Sequence, residues 1–416
     1  MIYYYLSYFA QQTGAQKDAE QYGRKAAECP IKYCFPYGYF SRIVLESAIA
    51  RNPKDASAFY LLGNVLGDNN PEAAVKMWET ASRLYAKNPT AFRNMAFIQA
   101  NIFDDMTSAL DNINRAAQLD PDDPRLFYET DQFAEYAGSS VDERFARLEK
   151  SRKTVGKWDK LLIRWIRLAN YFGRHDEAIE DLKNGHFYVA EGTLINPHLE
   201  WTNAFLYRGI QRFKTGEYKA ALEDFEQIPS FPRNLEIVRD GKIGVAWYWI
   251  GRAHNALGEN EKAQEAFAKM TDYRARLGWG GESSALVTFY KGLALQELGK
   301  GHEADELFQK LYLSGRNAMD ENTPAGLDLK GVRVRNDLKQ TKAEIYFAMG
   351  LGLLGKGEIE KASAMFRKTL DIHPGHLDAH RFLTDKGMAR LLEQNLFIER
   401  QDKTTRGGNG NRQTAW

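Results

Sequence analysis

The histidines of this chain are its first candidates for chemistry, because imidazole binds metal ions and transfers protons near neutral pH. His186, Glu191 and His198 lie in one segment, 186–198. Two imidazoles and a carboxylate can hold a metal ion, or act as general acid and base, when they converge on one point. The spacing does not establish convergence, so the segment is a candidate loop site without a complete catalytic signature.

A second group of histidines lies in HPGHLDAH, residues 373–380. His376 and His380 are four residues apart, a spacing that places two zinc ligands on one face of a helix. The metalloprotease motif also needs a glutamate directly after the first histidine, where this chain has Leu377. We therefore interpret the motif as the end of one helix followed by the capped start of a polar terminal helix.

GLGLLG, residues 350–355, matches the dinucleotide fingerprint G-x-G-x-x-G letter for letter. That fingerprint binds a pyrophosphate only between a strand and a helix N-terminus, where backbone N–H groups can donate. Here the glycines fall inside a predicted helix, so we expect them to serve helix packing. The sequence predicts no cofactor and no metal.

The charge balance and the cysteine content exclude several classes of function. Lysine and arginine number 56 against 55 acidic residues, so no positive field attracts nucleic acid or a membrane surface. Cys29 and Cys34 are too few for a disulfide framework and lack a second ligand pair for zinc. The opening run MIYYYLSYFA is too short to span a membrane and lacks the basic start of a signal peptide. We expect a cytoplasmic protein without nucleic-acid or membrane partners.

The elements that position these residues are predicted by an internal repeat. Four segments place a glycine, an alanine five residues later and a phenylalanine four after that; they begin at Gly216, Gly258, Gly299 and Gly357. A further glycine stands seven residues before each of them, as Gly251 does before Gly258. Small residues at a fixed distance from a glycine turn let two helices of a hairpin pack closely. We expect each phenylalanine to fill the groove toward the next hairpin.

This spacing resembles the tetratricopeptide repeat, a helix–turn–helix unit of about 34 residues. The last copy matches best, with Tyr346, Gly350, Ala362, Phe366 and Pro374 in register. The resemblance implies an all-α fold, a right-handed α-solenoid of about nine hairpins. Their predicted starts lie near Ile2, Ser57, Thr90, Arg125, Lys160, Asn203, Val245, Leu286 and Glu344.

The repeats also predict how the chain is organised. Hairpins over 1–155 include a degraded copy at 125–155 and an extra helix near 41–50, and further hairpins occupy 156–400. Inserts at 186–198 and 316–340 interrupt the second group, and inserts of this kind often lie on a binding face. The polar, glycine-rich end at 401–416 is predicted to be disordered.

The first predicted hairpin lacks the polar face that normally ends a solenoid. Its exposed positions carry aromatic residues instead: Tyr3, Tyr4, Tyr5, Tyr8 and Phe9. We expect an upstream repeat or a partner to cover this surface, which would make the chain part of a longer protein. The alternative is that the tyrosines cover a short core.

The resemblance to tetratricopeptide arrays further implies a concave binding surface lined by the first helix of each hairpin. Aromatic and arginine side chains anchor ligands there, and amides fix polar groups. On this template the inward-pointing residues are Tyr60, Asn64, Arg93, Tyr248, Arg252, Asn255, Phe289, Gln296 and Phe347. For each of them the alternative is a solvated or core-filling helix face.

A closer resemblance is to the C-terminal repeat region of bacterial tetratricopeptide proteins whose N-terminal half is a domain of unknown function. The resemblance rests on the order of short matching segments along the chain. Among them are YYYLSYFA (3–10), LESAIARNPKDASAFYLLGNVL (45–66), LDPDDPRLFYETDQ (119–132) and HFYVAEG (186–192). The upstream domain of that family resembles a carbohydrate-active β-sandwich, which implies sugar metabolism. The family's loop reads His-x-Trp-Glu-Gly, whereas Ala190 stands here in place of tryptophan, so Phe187, Tyr188 or Trp201 would have to supply the aromatic platform.

Two functions follow from these patterns. The favoured one is a non-catalytic scaffold that binds a peptide, a protein surface or its own N-terminal domain along the concave face. The other is the repeat region of a carbohydrate-processing protein, in which the 186–198 loop contributes to a sugar site. We favour the first because no complete catalytic set is readable in the sequence.

Overall fold

A computed structural model describes residues 1–32, 34–188, 195–235, 242–273, 284–321 and 332–384. Within these ranges the chain forms α-helices and one short 3₁₀ turn, and no described residue lies in a β-strand. The helices are α1 (Ile2–Gln12), α2 (Gln16–Glu28), α3 (Gly38–Arg51), α4 (Ala56–Leu66), α5 (Pro71–Leu84), α6 (Pro89–Asn101), α7 (Met106–Leu119), α8 (Pro124–Tyr136), α9 (Val141–Lys150), α10 (Arg152–Val155), α11 (Asp159–Tyr171), α12 (His175–Asn184), α13 (Pro197–Lys214), α14 (Tyr218–Gln227), α15 (Val245–Ala256), α16 (Asn260–Asp272), α17 (Ser284–Glu297), α18 (Gly301–Glu321), α19 (Val332–Gly355), α20 (Ile359–Ile372) and α21 (Leu377–Thr384).

The predicted all-α fold of helical hairpins is confirmed. Each of the nine predicted starts falls within a first helix, namely α1, α4, α6, α8, α11, α13, α15, α17 or α19. Pairs such as α4 with α5, and α15 with α16, pack along each other, and each second helix then packs on the next first helix, as α16 does on α17. This serial packing is the order expected of tetratricopeptide-like repeats.

The turn glycines adopt the backbone conformation that explains their spacing. Gly258 lies between α15 and α16 with φ of +79°, a left-handed value that other residues rarely adopt. Its N–H bonds to the carbonyl of Asn255 at 3.1 Å and so closes the end of the first helix.

The small residues and the phenylalanines of the repeat fit against each other. A Cβ atom built on Gly251 would lie 2.4 Å from Cε1 of Phe267, so only glycine lets α16 approach α15 this closely. Each phenylalanine therefore packs first within its own hairpin. The expected contact with the next hairpin is also made, since Phe225 stacks on Trp249 with ring centroids 5.9 Å apart.

The glycines of GLGLLG lie inside α19, as the packing interpretation predicted. A Cβ atom on Gly352 would lie 2.7 Å from the backbone oxygen of Phe308 in α18. The motif is therefore a close helix contact and has neither the strand nor the free N-terminus of a dinucleotide site.

The chain divides into two compact units. Unit 1 is formed mainly by Met1–Ser139 and Ser151–Val155, and unit 2 mainly by Ser140–Lys150 and the described residues after Gly156. The division falls inside the degraded repeat, because α8 belongs to unit 1 and α9 to unit 2.

The predicted interruptions of the repeat have helical ends. The extra helix expected near 41–50 is α3, which packs on α1 and α4. The insert expected at 316–340 begins as a continuation of α18 and ends as the start of α19, and its middle lies outside the described residues. The tail expected at 401–416 lies outside them as well.

The aromatic start of unit 1 divides between core and surface. Tyr4 is 2% exposed, and its hydroxyl lies 3.0 Å from both carboxylate oxygens of Asp55. On the opposite face, Ile2 and Phe9 are exposed. The tyrosines thus cover a short core in part, and an apolar face of α1 is open.

Candidate functional site

The 186–198 segment does not assemble the predicted loop site within the described residues. Glu191 lies outside them, and His186 is exposed. His198 is buried near the start of α13, with its ring edge-on to Phe231 at 4.6 Å between centroids. Burial lowers the pKa of His198 to about 4, so its imidazole is neutral at pH 7.

Two of the three aromatic residues expected to supply a platform for a sugar are buried in the structure. Trp201 is 2% exposed, and its Nε1 donates to the backbone oxygen of Gln227 at 2.9 Å. Phe187 is equally buried, whereas Tyr188 is exposed. Trp201 and Phe187 are therefore core residues: both rings bury a large apolar surface, and the one polar atom of Trp201 has a hydrogen-bond partner.

The first helices of unit 1 share a polar face, the unit 1 face, formed by Tyr60, Asn64, Arg93, Asn94 and Glu129. Asn94 Nδ2 donates to Asn64 Oδ1 at 3.1 Å, which links α6 to α4. The same oxygen accepts from Trp78 Nε1 at 3.0 Å, and an indole N–H can only donate, so the orientation of the Asn64 amide is fixed. Both asparagines are half-exposed, while Tyr60 is buried beneath them.

The charges of the unit 1 face are paired with one another. Arg93 binds Glu129 through two bonds of 2.6 Å, from Nε and Nη2, in the bidentate geometry that favours arginine. Arg125 adds a third bond to the same carboxylate at 3.0 Å from the solvent side. Glu129 is 5% exposed, so the two guanidinium groups compensate a buried charge.

The same ion pair recurs in unit 2 between successive first helices. Arg167 of α11 pairs with Glu200 of α13 at 3.0 Å, and Arg252 of α15 lies 3.7 Å from Glu297 of α17. Arg252 Nη1 also donates to the hydroxyl of Tyr248 at 3.0 Å. The predicted anchors Arg93 and Arg252 are thus already engaged, and they join one hairpin to the next.

The aromatic residues predicted to line the surface in unit 2 are core residues. Tyr248 and Phe289 are fully buried, and Phe347 is 2% exposed. They fill the core because a helix that packs on two neighbours buries a wide apolar stripe, which includes positions that the repeat template assigns to the surface. Asn255 and Gln296 remain half-exposed.

Unit 2 differs further from unit 1, because α21, the last helix among the described residues, lies against the first helices of unit 2. We call the surface formed by α11, α13, α17, α19, α20 and Lys242 the unit 2 face. Asp378 of α21 bonds to the Tyr207 hydroxyl, and Lys242 Nζ lies 2.5 Å from Asp378 Oδ1 and 2.8 Å from Asn203 Oδ1. Burial opposes ionisation of Asp378, but the charge of Lys242 and the bonds it receives keep the pKa of this carboxyl below its ordinary value.

The remaining side chains of α21 continue this contact. Arg381 Nη2 donates to the backbone oxygens of Asn170 and Tyr171 at the end of α11, at 2.6 and 3.2 Å. His380 stacks on Tyr171 with centroids 4.0 Å apart. Phe382 is 4% exposed between three phenylalanine rings, Phe289, Phe347 and Phe366.

The capping interpretation of HPGHLDAH is confirmed, but the terminal helix is not a polar surface helix. His376 Nδ1 accepts from the N–H of Ala379 at 3.1 Å, in the manner of an N-cap. Leu377, Asp378 and Phe382 are buried. The sequence flagged this motif for its histidines and missed Asp378, whose partner Lys242 is distant along the chain and carries no local pattern.

Within the described part of the chain, no group of three or more His, Cys, Asp or Glu side chains is arranged to hold a metal ion. None of its helices is both long and apolar enough to cross a membrane.

Comparison with known proteins gives one family match and several structures. Residues 245–273, which comprise α15 and α16, match the model of the tetratricopeptide repeat. A tetratricopeptide repeat protein from Parabacteroides merdae is 16% identical, with a TM-score of 0.36, over 71% of this chain and 97% of that one. YrrB, described as a tetratricopeptide protein with an unusual peptide-binding site, is 16% identical, with a TM-score of 0.29, over 54% of this chain and 89% of that one.

A human IFIT1 dimer with PPP-AAAA is likewise 16% identical, with a TM-score of 0.31, over 88% of this chain and 81% of that one. At these scores the likenesses carry no argument about function. The helical hairpins and their turn glycines define the class: the described residues form an all-α repeat fold of the tetratricopeptide-like type, and residues 245–273 match the tetratricopeptide repeat itself.

Proposed function

We propose that the chain is a non-catalytic scaffold that binds a segment of another polypeptide on the unit 1 face. The observation that carries the proposal is the pair Asn64 and Asn94, which is half-exposed and held in one orientation by Trp78. Preorganised amides bind with less loss of conformational freedom than mobile ones.

The chemistry of this face suits a polypeptide backbone. An asparagine amide both donates and accepts, as a peptide unit does, and two such amides on successive helices can bond to successive units of an extended ligand. Glu129 cancels the charge of Arg93, and Arg125 leaves one positive charge at the solvent side of the face, which is a weak attraction for a polyanion. These features favour a polar, uncharged stretch of peptide.

The experiment uses the full chain and a displayed library of random peptides. Peptides selected on the wild-type protein are synthesised, and their affinities are measured by fluorescence anisotropy. We expect the double variant Asn64→Ala with Asn94→Ala to bind at least about tenfold more weakly, since each lost hydrogen bond costs about 1 kcal/mol.

The matched control is Asn112→Ala. Asn112 is also half-exposed and donates to Gln99 at 2.8 Å, but it lies on the second helix α7. Equal affinities of the wild type and the double variant, or an equal loss in Asn112→Ala, would reject the unit 1 face as the site.

The carbohydrate function receives no support from the described residues. His198 and Trp201 are buried, and Glu191 lies outside the described part of the chain. The link to an upstream carbohydrate-active domain and the chain's own N-terminal domain as a partner stay predictions of the sequence resemblance.

A further inference from the structure

Helix α21 depends on its contacts with unit 2 for its structure. It has eight residues, and isolated helices shorter than about 12–15 residues are marginal in water. It is joined to α20 by a short turn that contains Pro374, so it is not a continuation of that helix. Its contacts therefore decide whether it is folded and docked.

Those contacts differ in kind from the packing between hairpins. Hairpins pack through glycine and phenylalanine, as Gly251 and Phe267 do. Helix α21 instead presents Asp378 to a buried ammonium and Arg381 to two backbone carbonyls. Complementary charged and hydrogen-bonded groups of this type give specificity in recognition between chains.

Three groups on the unit 2 face each bind one side chain of α21. Lys242 is 4% exposed, and a buried ammonium needs an anionic partner. The carbonyls at the end of α11 accept hydrogen bonds and carry the negative end of the helix dipole, which favours a cation such as Arg381. The ring of Phe382 fills the socket of Phe289, Phe347 and Phe366.

We propose that the unit 2 face is a receptor for a short helix with an acidic residue followed three and four positions later by arginine and phenylalanine, and that α21 is its resident occupant. When α21 undocks, the same face accepts a helical segment of this pattern from another polypeptide. The partner is defined by its chemistry, with Asp378, Arg381 and Phe382 as the template. This proposal concerns unit 2 and is independent of the peptide site proposed on the unit 1 face.

The test supplies the helix in trans. The probe is a fluorescein-labelled peptide with the sequence HPGHLDAHRFLT, residues 373–384. The full chain with Asp378→Ala and Phe382→Ala loses the two main anchors of α21 and substitutes no residue of the unit 2 face. We expect this variant to bind the peptide at least tenfold more tightly than the wild type, whose face is occupied.

Two controls separate recognition from nonspecific binding. Thr384→Ala changes an exposed residue of α21 and should behave as the wild type does. A peptide carrying alanine at the positions of Asp378 and Phe382 should not bind the variant. The proposal is overturned if the variant keeps the wild-type circular dichroism and binds no peptide, or if both peptides bind equally.

If the variant does not fold, hydrogen exchange of the wild-type protein tests whether α21 undocks from unit 2. In hydrogen exchange of the wild-type protein, the amides of α21 should exchange at least tenfold faster than those in the middle of α11 and α20, because undocking is a local event. If α21 exchanges at the same rate as these helices, it opens only when unit 2 unfolds and it is not a displaceable occupant.

Discussion

Within each unit, the first helices lie side by side, but their surfaces are exposed to different extents in the two units. On the unit 1 face, polar side chains pair with one another and remain half-exposed, as Asn64 and Asn94 do. On the unit 2 face, Asp378, Arg381 and Phe382 of the chain's own α21 cover the corresponding helices. A repeat pattern therefore predicts which helices form a surface, and it does not predict whether that surface is open.

The arginine and glutamate pairs show the common element of the two units. Arg93 with Glu129, and Arg167 with Glu200, connect one first helix to the next in each unit. The paired glutamates are almost fully buried, so these bonds replace hydration that the carboxylates lose on folding. They fix the spacing of the first helices on which any ligand would lie.

The largest expected difference comes from removing the buried charge partner in unit 2. Asp378→Ala leaves the ammonium of Lys242 buried without its anion, so we expect the free energy of unfolding to fall by about 3–5 kcal/mol. The matched control is Asp176→Ala, since the Asp176 side chain pairs with Arg208 but is 82% exposed. That control should cost less than about 1 kcal/mol. Urea unfolding of both full-length variants, followed by circular dichroism, measures the difference; equal costs would mean that the pair with Lys242 does not stabilise unit 2.

A smaller difference between the units is expected at low pH, where unit 2 should lose more of its free energy of unfolding than unit 1. All eight histidines lie between residues 175 and 380, and burial lowers the pKa of His198 to about 4. Burial, with the charges of Arg381 and Arg208, lowers the pKa of His175 to about 3. In the unfolded chain both titrate near the ordinary value of about 6.5. Their contribution to stability is therefore complete above that pH and is lost as the pH falls toward the folded values.

At pH 5 the loss from His198 alone is roughly 2 kcal/mol. Unit 1 has no histidine, and burial raises the pKa of its Asp55, so protonation of Asp55 acts in the opposite direction. Urea unfolding at pH 7.5 and pH 5.0 checks this, with His198→Leu as the variant that should lose less stability between the two. A variant with the same pH dependence as the wild type would contradict the neutral state of His198.

The smallest expected effect is the difference in stability between variants of two arginines that share one glutamate. Arg93 is mostly buried and binds Glu129 through two bonds, whereas the Arg125 side chain is 58% exposed and makes one. Arg93→Ala should destabilise the chain by about 1–3 kcal/mol because a charged hydrogen-bonded pair is lost. Arg125→Ala should cost less than about 1 kcal/mol. Thermal unfolding of both variants ranks them, and the reverse order would place the main partner of Glu129 at the surface.

The sequence determined the helical hairpins because the repeat is a local property. A turn glycine such as Gly258 and a close pair such as Gly251 with Phe267 are fixed by spacing within about 34 residues of one repeat. The same spacing placed GLGLLG inside a helix and excluded a dinucleotide site.

Only the tertiary structure decided which side chains of the first helices are available. Tyr248 and Phe289 match the surface template but are buried, because helices from neighbouring hairpins and α21 pack against them. The partnership of Lys242 with Asp378 joins residues 136 positions apart, and no periodic pattern encodes such a pair. Repeats specify contacts between neighbours in the chain, whereas occupancy of a face depends on contacts between distant segments.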